Sequence, residues 1–197
     1  MNGYVAVFFT EVPIPSGAFP LAHGGAIARI AEMAGDNVVL IGMPGAGKST
    51  VGVLLARTLG YTFLDTDLLI QEREGETLQA VVDRLGQPAF RALEERTICT
   101  LEARRMVIAT GGSVVYYPAA AERLGVLGRR VWLRLNFPET ERRVALFPNR
   151  GLAITPEQTL RDLYDERQPL YRQYADLTVD AAPSPEEVVA AILQAMG

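Results

Sequence analysis

Gly42-Met43-Pro44-Gly45-Ala46-Gly47-Lys48-Ser49 fits the spacing G-x-x-x-x-G-K-[ST], with an apolar strand-like run before it and helical spacing after it. The chemistry of such a stretch is a grip on phosphate. Glycines let backbone N–H groups converge on anionic oxygens at the positive end of the following helix. On this reading Gly45, Ala46, Gly47, Lys48, Ser49 and Thr50 hold a nucleotide, Lys48 reaches its β- and γ-phosphates, and the Ser49 hydroxyl ligates Mg²⁺. A phosphate grip alone does not say what receives the phosphate.

Three further runs could supply an acceptor side. Asp65-Thr66-Asp67 follows a second strand at the carboxyl edge of the sheet, where open α/β folds place ligands. An aspartate there would equally serve as a helix N-cap. Phe90-Arg91 is followed one helical turn later by Glu94, although an arginine on a helix ordinarily belongs to a solvated face. Ile108-Ala109-Thr110-Gly111-Gly112-Ser113 ends a third strand in a glycine pair, which by itself could be a plain turn.

The elements that must position these runs follow from periodicity. Strands are expected at 38–41, 61–64, 107–109, 131–135 and 177–179. Helices are expected at 49–59, 66–74, 77–85, 88–104, 118–125, 138–146, 156–174 and 184–195. Alternating strands and helices imply right-handed crossovers and an α/β fold, a five-stranded parallel sheet with helices on both faces. Residues 1–36, rich in Gly, Pro and Ala, read as an N-terminal extension of unassigned role with one helix near 26–34, and the domain proper as 37–197. The irregular stretch 147–156, with Pro148, Asn149 and Gly151, reads as a lid.

Composition removes several alternatives. A net charge of −4 offers no global attraction to nucleic acid or to an anionic membrane. Eighteen of the 19 basic residues are arginine, so Lys48 is the sole lysine. A slim ammonium suits a tight phosphate loop, and a broad guanidinium does not. The single cysteine, Cys99, rules out an intrachain disulfide and is expected to be a buried structural thiol, and one histidine, His23, cannot form a zinc cluster. No segment is long and apolar enough to span a bilayer, and the N-terminus lacks a positively charged leader pattern. The expected setting is the cytoplasm, with the chain acting as a monomer.

Taken together, GMPGAGKSTVG, FLDTD, FR..E, VIATGG, NRGL and ERQPLY...AD..VD stand in the order of the shikimate kinase family, and the chain resembles that family over about residues 37–180. The first motif is shared by many phosphate-binding proteins; the later ones are much more specific. The resemblance implies a P-loop NTPase fold of the nucleoside monophosphate kinase type, with ATP and shikimate as substrates and Mg²⁺ as cofactor. It implies that Asp67 holds the attacking hydroxyl and accepts its proton, and that Asp65 stands near the Mg²⁺ shell with Ser49. Arg91 and Arg167 would clamp the acceptor's carboxylate, with Gly111 and Gly112 against its ring. Arg150 would reach the phosphates from the lid, and Arg143 would stack on adenine.

Two positions depart from the family pattern. Ser113 stands where the family has a third glycine, and Gly151 where the lid motif usually has proline. If the first position needed φ > 0, serine would be strained there; otherwise its hydroxyl would be placed to bond the substrate. Both departures fall on the acceptor side and leave open a kinase for another small hydroxy acid, or a nucleotide-binding regulatory relative without turnover.

Overall fold

The computed structural model describes residues 37–146 and 158–197. The N-terminal extension, with His23 and the helix expected at 26–34, lies outside the described residues, as does the lid stretch 147–156 with Arg150 and Gly151.

Five strands form one sheet: β1 (Asn37–Ile41), β2 (Thr62–Asp65), β3 (Met106–Ala109), β4 (Gly128–Arg134) and β5 (Leu177–Asp180). Their order is β2-β3-β1-β4-β5, and every pairing is parallel. The run Val38–Ile41 is apolar throughout because β1 is the central strand, covered on both faces. β4 starts earlier than its apolar run suggests. Gly128 pairs with Asn37, and the backbone and guanidinium of Arg130 both donate to Asp176. The Asn37 side chain ties the start of the sheet together, donating to Ala103 O and Leu127 O and accepting from Met106 N.

Seven α-helices accompany the strands among the described residues: α1 (Lys48–Leu59), α2 (Thr66–Glu74), α3 (Leu78–Cys99), α4 (Pro118–Leu127), α5 (Phe137–Ala145), α6 (Leu160–Tyr174) and α7 (Pro185–Met196), with one 3-10 turn at Val114–Tyr116. Alternation along β1 sorts them onto two layers. Val38 and Leu40 pack with Val51 and Leu55 of α1 and Val189 and Ile192 of α7. Val39 and Ile41 pack with Ile98 of α3, Leu124 of α4 and Tyr171 of α6. Each such side chain, fully buried, contributes roughly 1.5–3 kcal/mol of transfer free energy. The parallel sheet with helices on both faces is thus the expected one.

A third, smaller core lies away from the sheet, where Ile70 of α2 meets Val81 and Phe90 of α3. Its shape depends on Gly86, whose φ of 74° and ψ of 160° break α3 in its middle. Pro88, lacking an N–H, opens the next turn at no hydrogen-bond cost. The two expected helices at 77–85 and 88–104 are therefore the arms of one kinked element. The second arm stops at Cys99, short of the expected end, where the Thr100 N–H and hydroxyl both donate to Arg96 O. Ile98 and Leu101 take the inward positions there, which turns Cys99 outward; it is exposed, not buried as expected. Among the described residues no helix is long and apolar enough to cross a membrane.

Candidate active site

The phosphate loop joins β1 to α1. Gly45 and Gly47 sit at φ of 79° and 85°, in the left-handed region that a side chain disfavours. Ala46 N donates to Met43 O, closing the turn, and Val51 N donates to Gly47 O to start the helix. The N–H groups of the first turn are left pointing out of the helix end. Ala46 is buried beneath the loop, and Thr50 is exposed on the first turn of α1. Lys48 Nζ lies along the loop and donates to Gly42 O at 2.8 Å and Met43 O at 3.0 Å.

From the next strand Asp65 reaches the same place. Its Oδ2 accepts from the Ser49 hydroxyl at 2.8 Å, and its Oδ1 accepts from Asp67 N at 3.0 Å. The capping role and the position beside Ser49 therefore coexist, one on each carboxylate oxygen. Thr66 Oγ1 accepts from Gly111 N at 3.2 Å, fastening this turn to the glycine pair. A cavity of about 630 Å³ opens here, its wall including Lys48, Ser49, Asp65, Asp67, Thr110 and Gly112.

Gly112 joins that cavity to the arginines. A Cβ on it would lie 3.0 Å from Arg167 Nη1 and 3.1 Å from Pro44 of the phosphate loop. Arg167 is 2% exposed, and its Nε donates to the Tyr116 hydroxyl at 3.2 Å. Its guanidinium carbon stands 5.0 Å from the Tyr116 ring centroid, and that of exposed Arg91 stands 6.0 Å from the same centroid. Two arginines from different helices thus converge on one ring. Tyr171, one turn after Arg167 and fully buried, donates from its hydroxyl to Gly112 O at 2.6 Å and stacks on Trp132. Burial pushes its phenol up to about 12, so it stays a donor.

The shikimate kinase family pattern matches residues 44–197. The chain belongs to the shikimate kinase family. The shikimate kinase of Thiobacillus denitrificans is 41% identical over 150 residues, which is 75% of this chain and 82% of that one. That of Pseudomonas entomophila is 40% identical over 158 residues, 78% and 91% of the two chains. The solved shikimate kinase of Acinetobacter baumannii in complex with shikimate superposes with a TM-score of 0.78 at 33% identity, covering 86% of this chain and 96% of that one. The Aquifex aeolicus shikimate kinase gives 0.70 at 32% identity, over 81% and 95%.

Ser113, a departure from the family's third glycine, has φ −82° and ψ −11°, so the position asks for no left-handed backbone and serine is unstrained there. Its hydroxyl is engaged inside the protein: it donates to Glu94 Oε1 at 2.6 Å. Tyr117 donates to Glu94 Oε2 at 2.8 Å. Burial pushes the Glu94 carboxyl up, opposed by these two hydrogen bonds and by the charges of Arg167 and Arg91. The same burial, with the Glu94 charge, raises the Tyr117 phenol.

Arg143 stands on α5 with its Cβ 3.1 Å from the position a Cβ on Gly45 would occupy. Its Nε donates to Glu139 Oε1 at 2.5 Å and its Nη2 to Ala182 O at 3.1 Å. It is therefore held between the phosphate loop and the turn after β5. The family residue Arg150 lies outside the described residues. Sequence reasoning did not single out Tyr116, Tyr117 or Tyr171 and gave Glu94 no role. The only signal for two of them was membership in the FR..E and RQPLY runs.

Proposed function

We propose that this chain is an enzyme that transfers the γ-phosphoryl group of ATP to the 3-hydroxyl of shikimate, giving ADP and shikimate 3-phosphate for aromatic amino-acid biosynthesis. The hydroxyl oxygen bonds to the γ-phosphorus, the bond from that phosphorus to the β–γ bridging oxygen breaks, and the hydroxyl proton passes to Asp67. The observation that carries the reading is the convergence of Arg91 and Arg167 on Tyr116, next to a glycine pair that also borders the phosphate loop. The likeness to a family member solved with shikimate supports it.

The assigned roles follow the charges. Arg91 and Arg167 bind the acceptor carboxylate, a task for the rigid guanidinium fork, while Gly111 and Gly112 let backbone approach its ring. Gly45, Ala46, Gly47 and Thr50 hold the phosphates from the helix end, and Arg143 lies against adenine. Lys48, with Arg150 from the lid, neutralises charge on the transferring group. A loose transition state needs alignment more than a strong base, so an ordinary aspartate serves at Asp67.

The donor set at Ser49 and Asp65 fits a hard divalent cation: a hydroxyl and a carboxylate oxygen 2.8 Å apart at the cavity wall. Mg²⁺ held there would supply charge neutralisation at the phosphates. Residues 37–197 form the kinase domain, residues 1–36 precede it as an extension, and the enzyme works as a cytoplasmic monomer.

The experiment is a coupled ADP-release assay over a panel of hydroxylated carboxylic acids, on the full chain and on a version beginning near Gly35. Turnover of shikimate above the other acids is expected. Turnover of another acid with shikimate inert overturns the substrate, and ATP binding without acceptor-dependent ADP release overturns the activity.

A further inference from the structure

Three side chains with no part in the transfer outlined above meet beside the acceptor arginines. Glu94 is 7% exposed, and each of its carboxylate oxygens accepts from a different hydroxyl, Oε1 from Ser113 and Oε2 from Tyr117. A carboxyl buried without donors keeps its proton, whereas hydroxyls aimed at both oxygens favour the charged form. The charge so favoured is opposite in sign to those of Arg91, one turn back on α3, and of Arg167 on α6, and both favour it electrostatically. Asp67 of α2 faces it across Gly111: Asp67 Oδ1 and Glu94 Oε1 are both 3.0 Å from where a Cβ on Gly111 would lie. Among the described residues, the phenols of Tyr116, bonded to Arg167, and Tyr171, bonded to Gly112 O, are further titratable groups around this cluster.

We propose that Ser113 is a positioning residue for the acceptor clamp, acting through Glu94. Its hydroxyl holds the Glu94 carboxylate ionised and oriented as the common counter-charge of Arg91 and Arg167. A glycine at this place leaves Tyr117 as the sole hydroxyl on Glu94. The inference rests on the proposed reading of the two arginines as the carboxylate clamp. It turns a departure from the family pattern into a part of the acceptor site that never touches the acceptor.

Burial raises Glu94, and the Ser113 hydrogen bond is the first of the influences opposing that rise. Removing the hydroxyl leaves burial less opposed, so Glu94 takes up its proton at a higher pH. The counter-charge is then lost from the acid side earlier than in the wild type.

The test compares wild type, Ser113→Ala, Ser113→Thr and Tyr117→Phe in two measurements. In steady-state kinetics Ser113→Ala should raise the KM for shikimate about tenfold with little change in the KM for ATP. It should also move the acid limb of kcat/KM for shikimate to higher pH, and Ser113→Thr should restore both. In the unliganded protein, NMR titration of the Glu94 carboxyl carbon should show an upward midpoint shift in Ser113→Ala. Tyr117→Phe, which removes the other donor, should shift it the same way if Ser113→Ala does not fold. An unmoved Glu94 midpoint overturns the proposal, as does a parallel rise in both KM values. The NMR arm needs no turnover, so a wild type inert on shikimate refutes the assigned reaction while this inference is still decided.

Discussion

Arg167 and Tyr116 are joined twice: the guanidinium Nε donates to the phenol oxygen at 3.2 Å, and the guanidinium carbon stands 5.0 Å from the ring centroid. Arg91 approaches the same ring from α3 at 6.0 Å. Both cations are drawn towards the same aromatic ring, an attraction worth about 0.5–2 kcal/mol per contact. On the proposed reading, a planar carboxylate entering there meets an Arg167 fork already held by Tyr116.

Arg167→Ala should therefore raise the shikimate KM by about a hundredfold, the loss of a charge-assisted bidentate contact, with a much smaller change in the KM for ATP. Arg167→Lys should recover little, because a point charge cannot reproduce the fork. Steady-state kinetics in both substrates checks this. Equal losses of ATP and acceptor affinity would remove Arg167 from the clamp.

Lys48→Ala should lower kcat by roughly a thousandfold, the scale on which a removed transition-state charge is felt. In the unliganded protein the ammonium donates to Gly42 O and Met43 O, so the loop's own shape also depends on it. Circular dichroism and ATP titration separate the two contributions. A near-normal kcat would contradict the role.

Gly52→Ala addresses packing. A Cβ at Gly52 would lie 2.5 Å from Phe63 Cε2, where α1 crosses β2 and the ring is 6% exposed. The ring has little room to retreat, so the substitution should cost about 1–3 kcal/mol and lower the Tm by roughly 5 °C. Thermal denaturation reads it directly; an unchanged Tm would mean that Phe63 turns away without loss.

Glu139 provides a pH prediction. Hydrogen bonds from Arg142 and Arg143 hold its carboxyl down at about 2. A depressed carboxylate contributes above its unfolded pKa, near 4.5, and loses that contribution as pH falls towards 2. The Arg143 anchor beside the phosphate loop should therefore persist through mildly acid conditions. NMR titration of the Glu139 carboxyl carbon should give a midpoint near 2; a midpoint near 4 would show the arginines disengaged.

Much of the fold was legible because its signals are local. The strand–glycine loop–helix run of 38–59 carries its own punctuation, ending at Gly60 with φ 67°. Alternation of apolar strands and amphipathic helices left little freedom in topology. Asp65 could be placed but not resolved between capping and site, since both uses share one carboxylate and only coordinates assign its two oxygens. Burial of charge was not legible. Glu94 follows Arg91 by one helical turn and carries no local sign of enclosure, yet Tyr117 and Ser113, distant in the chain, enclose it. Cys99 erred the other way: its apolar neighbours suggested an interior face, but the helix ends on it.

The break at Gly86 has a dynamic consequence. It lets Leu78–Leu85 fold over α2 around Ile70, Val81 and Phe90, a small oil drop with no strand residue in it. Such a unit can open while the sheet stays intact, since its buried residues form a cluster separate from the two that cover the sheet. The amides of Val81 and Val82 should exchange with solvent well before those of Val39 and Leu40, so breathing of the molecule begins beside the cavity that Leu78 and Gln79 help to line.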